Sequence, residues 1–446
     1  MQEKDVNLVD VMGEADLGLF HIGIISICFV LTMIDGFDTQ SIAFVAPALR
    51  NTWEISPNTF GLLFGAGLLG SMIGAMTLGP VGDRIGRKPM ILASTLLFSV
   101  MSLLSATSSS VEILTLYRFT GGLGLGGLLP NVIALVAEYS PKRIRSTTVV
   151  VTFIGFPLGA VIGGMASSQI IPAYGWEMVF IIGGILPLLL LVVAWFKLPE
   201  SIRYLAANAK QPERIASTLS RIDPSLGDIN VEQIRMPQSE EVKQPVKKLF
   251  MDGRATWTIF LWLLTFFALL LTYFLVHWIP LVLVDAGISQ QKAILGISLL
   301  NLGGILGSLI ISRVTDKRGP YLAMSVAMGI SIIFIAAIGS SLPLGAGAVL
   351  FMIFMTGFTF VGAQLNITAI AATNYPVEIR SAGTGWGMAA GRVGSIVGPI
   401  VGGVLVTLEL GIDKIFFVSA IPALLALCAI VVMWKKAPAI IKDESQ

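Results

Sequence analysis

Twelve runs of mostly apolar residues, each about 20 residues or longer, decide what this 446-residue chain can fold into. A helix of that length crosses the ~30 Å hydrocarbon core of a bilayer. In that medium every backbone N–H and C=O must be satisfied internally, which long uninterrupted runs achieve as helices. The first six runs cover about 20–48, 58–80, 89–109, 113–137, 147–171 and 177–196. The second six cover about 256–285, 292–312, 321–340, 343–372, 382–407 and 415–434. No charge occurs between Arg318 and Glu378, too long a stretch for one span, and Ser340-Ser341-Leu342-Pro343 supplies the turn that divides it into two. The expected fold class is an all-α membrane protein with twelve transmembrane helices.

Composition agrees. Charged residues make up 13% of the chain against 55% hydrophobic ones, where soluble chains carry about 25% charged. A net charge of +2 with no basic stripe argues against nucleic acid as a partner. Cys28 and Cys428 lie inside apolar runs without metal-ligand spacing and are expected to be small buried hydrophobes. Glu3, Asp5, Asp10, Glu14 and Asp16 give the leading residues the wrong charge for a signal peptide, so the first run is expected to remain as an anchor.

One long polar segment, 198–254, carries nine Lys or Arg, eight Asp or Glu and five prolines without a sustained apolar face. It is expected to be a solvated linker with short helices at most, between an N-terminal bundle of six helices over 1–197 and a C-terminal one over 255–446. Clustered cations follow the second, fourth and eighth spans: Arg84, Arg87 and Lys88; Lys142, Arg143 and Arg145; Arg313, Lys317 and Arg318. Opposite loops hold isolated Arg50, Lys292 and Lys414. Positive charge marks the cytoplasmic side, which predicts a multi-pass protein of the inner (cytoplasmic) membrane with both termini and the linker in the cytoplasm.

The two sets of six runs are related. Tyr139-Ser140-Pro141-Lys142-Arg143-Ile144-Arg145-Ser146 after the fourth run parallels Tyr375-Pro376-Val377-Glu378-Ile379-Arg380-Ser381 after the tenth. Gly159, Gly163 and Gly164 parallel Gly398, Gly402 and Gly403, and Asp83 parallels Asp316. Three matches in order make coincidence a poor explanation. Six plus six helices in parallel repeats around a linker resemble the major facilitator superfamily. Gly79-Pro80-Val81-Gly82-Asp83-Arg84-Ile85-Gly86-Arg87-Lys88 is similar to its signature loop, Arg118-Phe119-Thr120-Gly121-Gly122-Leu123-Gly124 to its fourth-helix motif, and Pro199-Glu200-Ser201-Ile202-Arg203-Tyr204-Leu205 to the motif after its sixth helix. The resemblance implies the major facilitator fold, two six-helix bundles related by a pseudo-twofold axis, with a midplane site and alternating access. It also implies a gate at the cytoplasmic end, to which we assign Asp83, Arg84, Arg87, Glu138, Arg145, Asp316 and Arg380. Asp83 is expected to pair with Arg87 or to sit at a helix terminus, and Glu138 to pair with Arg145. The glycines, 47 in all, are expected to let helices approach closely in lipid, rather than to cradle phosphate.

Five ionisable residues fall well inside the runs: Asp35, Asp38, Arg118, His277 and Arg392. Each costs about 2.5 to 3.5 kcal/mol in hydrocarbon when charged, so each needs a partner or a cavity. Asp35 and Asp38 share one face of their helix, and Asp38 lies at a depth where Arg118 can pair with it. Asp35 is either a proton carrier or a partner for Arg392 or for a helix terminus. Arg392 presents a guanidinium fork suited to a carboxylate, and its alternative is charge balance with Asp35. His277 can titrate near neutrality or be a hydrogen-bonded interior residue. Proton coupling is therefore assigned to Asp35, Asp38 and His277. Substrate contacts are assigned to Arg392 and Arg118, the polar Gln364, Asn366 and Asn301, and the aromatic Phe156, Tyr273 and Trp386, although aromatic stripes also serve packing.

Asp35-Gly36-Phe37-Asp38-Thr39, with Arg118, the Pro199–Leu205 motif and Gly391-Arg392, resembles the aromatic acid:proton symporter family of benzoate and 4-hydroxybenzoate carriers. His277 departs from it, standing where a neutral polar residue is expected. The resemblance implies import of a small aromatic carboxylate with a proton, by a monomer needing no cofactor or metal. A sugar or polyol carrier, a non-aromatic carboxylate symporter, a drug:proton antiporter and a non-transporting sensor remain as alternatives. No nucleophile and base motif suggests an enzyme.

Overall fold

In the computed structural model the twelve apolar runs are helices long and apolar enough to cross a membrane. The structure describes residues 16–208 and 246–442, together with 6–7, 215, 218, 220–222 and 234–235. Helix α1 is Leu19–Trp53, α2 Pro57–Ile85, α3 Arg87–Ala106, α4 Val111–Tyr139, α5 Arg145–Tyr174 and α6 Glu177–Lys197. The second set comprises α7 Ala255–Asp285, α8 Gln290–Arg318, α9 Pro320–Ser340, α10 over 346–374, α11 Val377–Thr407 and α12 Ile412–Lys442. Several helices run past the apolar limits by a turn or more, because polar residues at a membrane surface continue a helix at little cost. Helix ends that lead into loops after odd-numbered helices are termed far ends, and those that lead into loops after even-numbered helices near ends.

Helix α10 is irregular. It opens as Ala346–Thr356, passes through a π-helical turn at Gly357–Val361, resumes as Gly362–Leu365, breaks at Asn366 and ends as Ile367–Asn374. Asn366 Nδ2 stabilises the break by donating to Gly362 O at 2.9 Å and to Ser308 O of α8 at 3.3 Å. Of the linker, the described parts include the short helix Ile202–Asn208 and the 3-10 turn Val246–Phe250. A two-residue parallel pairing of Val6–Asn7 with Ile234–Arg235 is the one strand contact among the described residues.

The chain forms two compact units. One holds 1–39, 69–159 and 180–241; the other holds 40–68, 160–179 and 242–446. The second therefore combines α7–α12 with the far-end parts of α1, α2 and α5.

Within the first unit, glycines set the helix crossings. A Cβ at Gly36 of α1 would lie 2.6 Å from the carbonyl carbon of Phe156 in α5, and one at Gly159 of α5 the same distance from that of Met33. Gly74 of α2 meets Leu123 of α4 in the same way, at 2.8 Å. Backbones this close gain the van der Waals contact that holds helices together in lipid. The second unit repeats the device, with Gly394 and Gly398 of α11 against Phe266 and Leu270 of α7. Changing Gly74 to Ala is expected to destabilise the protein by about 1 to 3 kcal/mol through overpacking, read as a lowered midpoint of thermal unfolding in detergent; an unchanged midpoint would contradict the crossing.

Candidate functional site

Helix α1 carries its two carboxylates near its middle, where both are buried. Asp38 is 1% exposed and Asp35 4%. Arg118 of α4, itself 6% exposed, donates through Nη1 to the Asp38 carboxylate at 3.0 to 3.1 Å and through Nη2 to the Asp38 carbonyl at 2.7 Å. Its guanidinium lies over the Phe180 ring of α6, 5.6 Å from the centroid. Gly183, one turn along α6, leaves room for the pair: a Cβ there would stand 3.2 Å from Phe37 and 3.6 Å from Asp38 Oδ1. The pairing expected from depth alone is present. Asp35 has a different environment, accepting from the Thr39 hydroxyl at 3.2 Å. Gly36 between them is the contact point with α5, so the sequence Asp-Gly-Phe-Asp turns both acids to one side while its glycine meets a backbone.

The near ends of the same unit hold a charged network. Arg87, the first residue of α3, bonds Asp83 at 3.0 Å and Glu138 of α4 at 2.8 Å. Glu138 also accepts from the Ser201 hydroxyl at 2.5 Å. The expected Glu138–Arg145 pair is thus replaced by Glu138–Arg87, because Arg87 at the start of α3 lies beside the end of α4 and Arg145 belongs to the next helix. Glu200 takes the helix-terminus position envisaged for Asp83: its carboxylate accepts from the backbone N–H of Lys88 at 3.1 Å and of Ser201 at 2.7 Å, where the start of α3 is electropositive. Gly86 has φ of +108°, a conformation that suits glycine, and Glu200 occupies the space its Cβ would fill. Tyr139 completes the network by donating to Glu200 O at 2.6 Å. Arg84 and Asp316 are exposed, and Arg380 donates to Tyr375 O at 3.3 Å.

In the second unit, polar residues near mid-span gather toward the far ends. Gln40 of α1 and Asn301 of α8 exchange side-chain amide hydrogen bonds of 3.3 and 2.9 Å, and both are buried. Ser298 donates to Val161 O of α5 at 3.0 Å. His277 lies between the rings of Phe64 and Tyr273, at 4.8 and 5.9 Å, with Nδ1 2.8 Å from Tyr273 O. An ion pair of Arg50 with Asp285 joins the ends of α1 and α7. The sequence alone does not mark Gln40 as the partner of Asn301, although a glutamine two positions after Asp38 inside an apolar run is a signal for a polar contact.

Other expected substrate residues are placed as follows. Arg392 is half-buried near the middle of α11, and Gln364 half-buried in α10. Asn366 serves the helix break described above. Trp386 stacks on Trp262 of α7 at 5.7 Å, and Phe156 presents its backbone to Gly36. Among the described residues no group of three metal-ligating side chains occurs.

Comparison with known proteins bears on this arrangement. The model of the Major Facilitator Superfamily matches residues 28–386. A gallate transporter of Pseudomonas putida is 34% identical over 96% of this chain and 95% of its own. The 4-hydroxybenzoate transporter PcaK of Pseudomonas aeruginosa is 34% identical over 91% of each. Among solved structures, the xylose transporter XylE from E. coli in a partially occluded inward-open conformation superposes with a TM-score of 0.72 at 17% identity, covering 94% of this chain and 98% of its own; this likeness speaks to the fold.

Removing Arg118 would take away the cation that faces the buried Asp38 carboxylate. Arg118→Ala is expected to cost about 3 to 5 kcal/mol, and Asp38→Asn combined with Arg118→Met to recover much of that loss. Thermal unfolding of both variants tests the pair, and equal losses in the two would show that Asp38 does not depend on Arg118.

Proposed function

The chain belongs to the Major Facilitator Superfamily, and on that footing we propose that it imports a small aromatic carboxylate across the cytoplasmic membrane together with a proton. The observation that carries this reading is near full-length similarity to gallate and 4-hydroxybenzoate transporters, in a chain that buries two carboxylates one turn apart in α1. The near ends, with their clustered cations, are taken as cytoplasmic, so both termini and the linker lie inside the cell. The six-helix bundles over 1–197 and 255–446 are taken as the functional halves.

Asp38 and Asp35 divide the work in this scheme. Asp38 is matched by Arg118 in a geometry where both charges are hydrogen-bonded, so its contribution is to hold α1 to α4. Asp35, buried and bonded to a hydroxyl, is the group that accepts and gives up the proton. Arg392 receives the carboxylate of the substrate, since a guanidinium binds a planar carboxylate through two parallel hydrogen bonds. Anion and proton together add no net charge, so the protein can change conformation without burying a new one. Gln364 and Tyr273 supply a polar and an aromatic contact, and the amide clasp of Gln40 with Asn301 opens when substrate enters from the side of the far ends. The network of Asp83, Arg87, Glu138 and Glu200 opens for release. The protein is taken to work as a monomer.

Uptake of radiolabelled 4-hydroxybenzoate into proteoliposomes under an inward proton gradient tests the scheme. Accumulation is expected for the wild type, with loss on adding an uncoupler. Asp35→Asn is expected to abolish accumulation while leaving substrate binding and exchange. Retained gradient-driven accumulation in this variant would exclude Asp35 as the coupling group, and binding without any wild-type uptake would favour a sensor.

A further inference from the structure

We propose that the groove between α8, α9 and α10 is a binding site for one anionic phospholipid, its headgroup held by Lys317 and Arg318 and an acyl chain lying along α9. The groove encloses about 620 Å³. Its walls are apolar: Val314 on α8, Val326 and Ile330 on α9 and Phe358 on α10 line it, and the small Ala323 and Ala327 hollow out its floor. Val314, Val326 and Ile330 are 40%, 51% and 42% exposed, so the groove opens away from the helix packing of its own unit. The lining of α9 runs from Leu322 to Ile330, about 12 Å of helix at 1.5 Å per residue, which suits an extended chain and far exceeds what a free phosphate needs.

Charge fixes the class of headgroup. Lys317 and Arg318 line the near end of this otherwise apolar groove, Arg313 stands one turn before Lys317, and Asp316 is the one acid in that turn. The local balance is positive. Basic pockets between transmembrane helices on the cytoplasmic side attract anionic headgroups, and each basic side chain near an anionic surface contributes about 1 kcal/mol. An acyl chain in the groove would also meet Phe358 and Thr359, which belong to the π-helical turn of α10. That turn is pressed against α8, where a Cβ at Gly303 would stand 2.8 Å from the Phe358 backbone nitrogen. Such turns are rare and recur at functional positions, so a lipid here supports the irregular part of α10 from outside.

Native mass spectrometry of the purified full-length protein, titrated with phosphatidylglycerol or phosphatidylcholine, tests the proposal, with thermal unfolding as a second readout. The wild type is expected to retain one phosphatidylglycerol in preference to phosphatidylcholine by a factor on the order of 10 to 30, the preference two basic groups give at about 1 kcal/mol each, and to unfold at a higher temperature with it bound. Combined Lys317→Gln and Arg318→Gln should remove the preference, and Val326→Trp should remove the bound lipid with both charges intact. Val314→Trp, on the opposite wall, repeats the block should Val326→Trp fail to fold. The proposal falls if the double glutamine variant keeps the preference, if a folded tryptophan variant still holds the lipid, if inorganic phosphate alone reproduces the thermal shift, or if a second protein chain replaces the lipid in the spectrum.

Discussion

The Asp38 carboxylate is buried inside a helix bundle, where Arg118 meets it with hydrogen bonds to its carboxylate and carbonyl. The desolvation of two ions is large and is offset only when geometry and hydrogen bonding are nearly complete. Much of the packing around α1 follows from that demand. Helix α4 must bring Arg118 to the depth of Asp38, and it does so along a seam where Gly70 and Gly74 of α2 meet Phe119 and Leu123. Helix α6 must offer a ring face to the guanidinium and a gap beside the carboxylate, which Phe180 and Gly183 provide. On its other side α1 is held to α5 at Gly36 and Gly159, so the helix that carries both acids is fixed from several directions.

The near ends of the two repeats show duplication followed by a change of chemistry. Tyr139 and Tyr375 occupy matching positions, and each ties down chain just outside the helices: Tyr139 through Glu200 O, Tyr375 through Thr258, whose hydroxyl donates to Leu249 O. The residue before each tyrosine differs. Glu138 accepts from Arg87, whereas Asn374 accepts from the Tyr321 hydroxyl at 3.1 Å, which in turn receives Trp257 Nε1 at 3.0 Å. Asp316 has lost the cation that Asp83 finds four residues on, because Pro320 stands where Arg87 does. One repeat keeps an ionic network and the other a neutral one, on the same scaffold.

Spans, the repeat and the Asp38–Arg118 pair were legible in the sequence, since each depends on length, order or depth along a helix. What was not legible depends on the rotation of one helix against another. Glu200 reaches the start of α3 across 112 positions of sequence, and no local spacing announces it. The same is true of Gln40 and Asn301, 261 positions apart. Trp386 read as a candidate ring contact, yet its neighbour is Trp262, and periodicity cannot distinguish a stacking partner from a ligand. The π-helical turn of α10 was hidden for another reason: Gly357-Phe358-Thr359-Phe360-Val361 is as apolar as any α-helical run, and only packing against α8 reveals the extra residue.

The two polar clusters also differ in the energy needed to open them. The far-end contacts of the second unit are mainly neutral: an amide pair, one hydroxyl to a carbonyl and a histidine between rings. Neutral hydrogen bonds contribute about 0.5 to 1.5 kcal/mol each, and the Arg50–Asp285 pair at their edge is partly exposed and therefore weak. A few such contacts can be broken at small energetic cost. The Arg87–Glu138 interaction is different, since Glu138 is 8% exposed and is bonded to Ser201 as well; separating it would strand a charge unless water or another cation arrives at once. Separating Arg87 from Glu138 thus requires solvation of the Glu138 carboxylate.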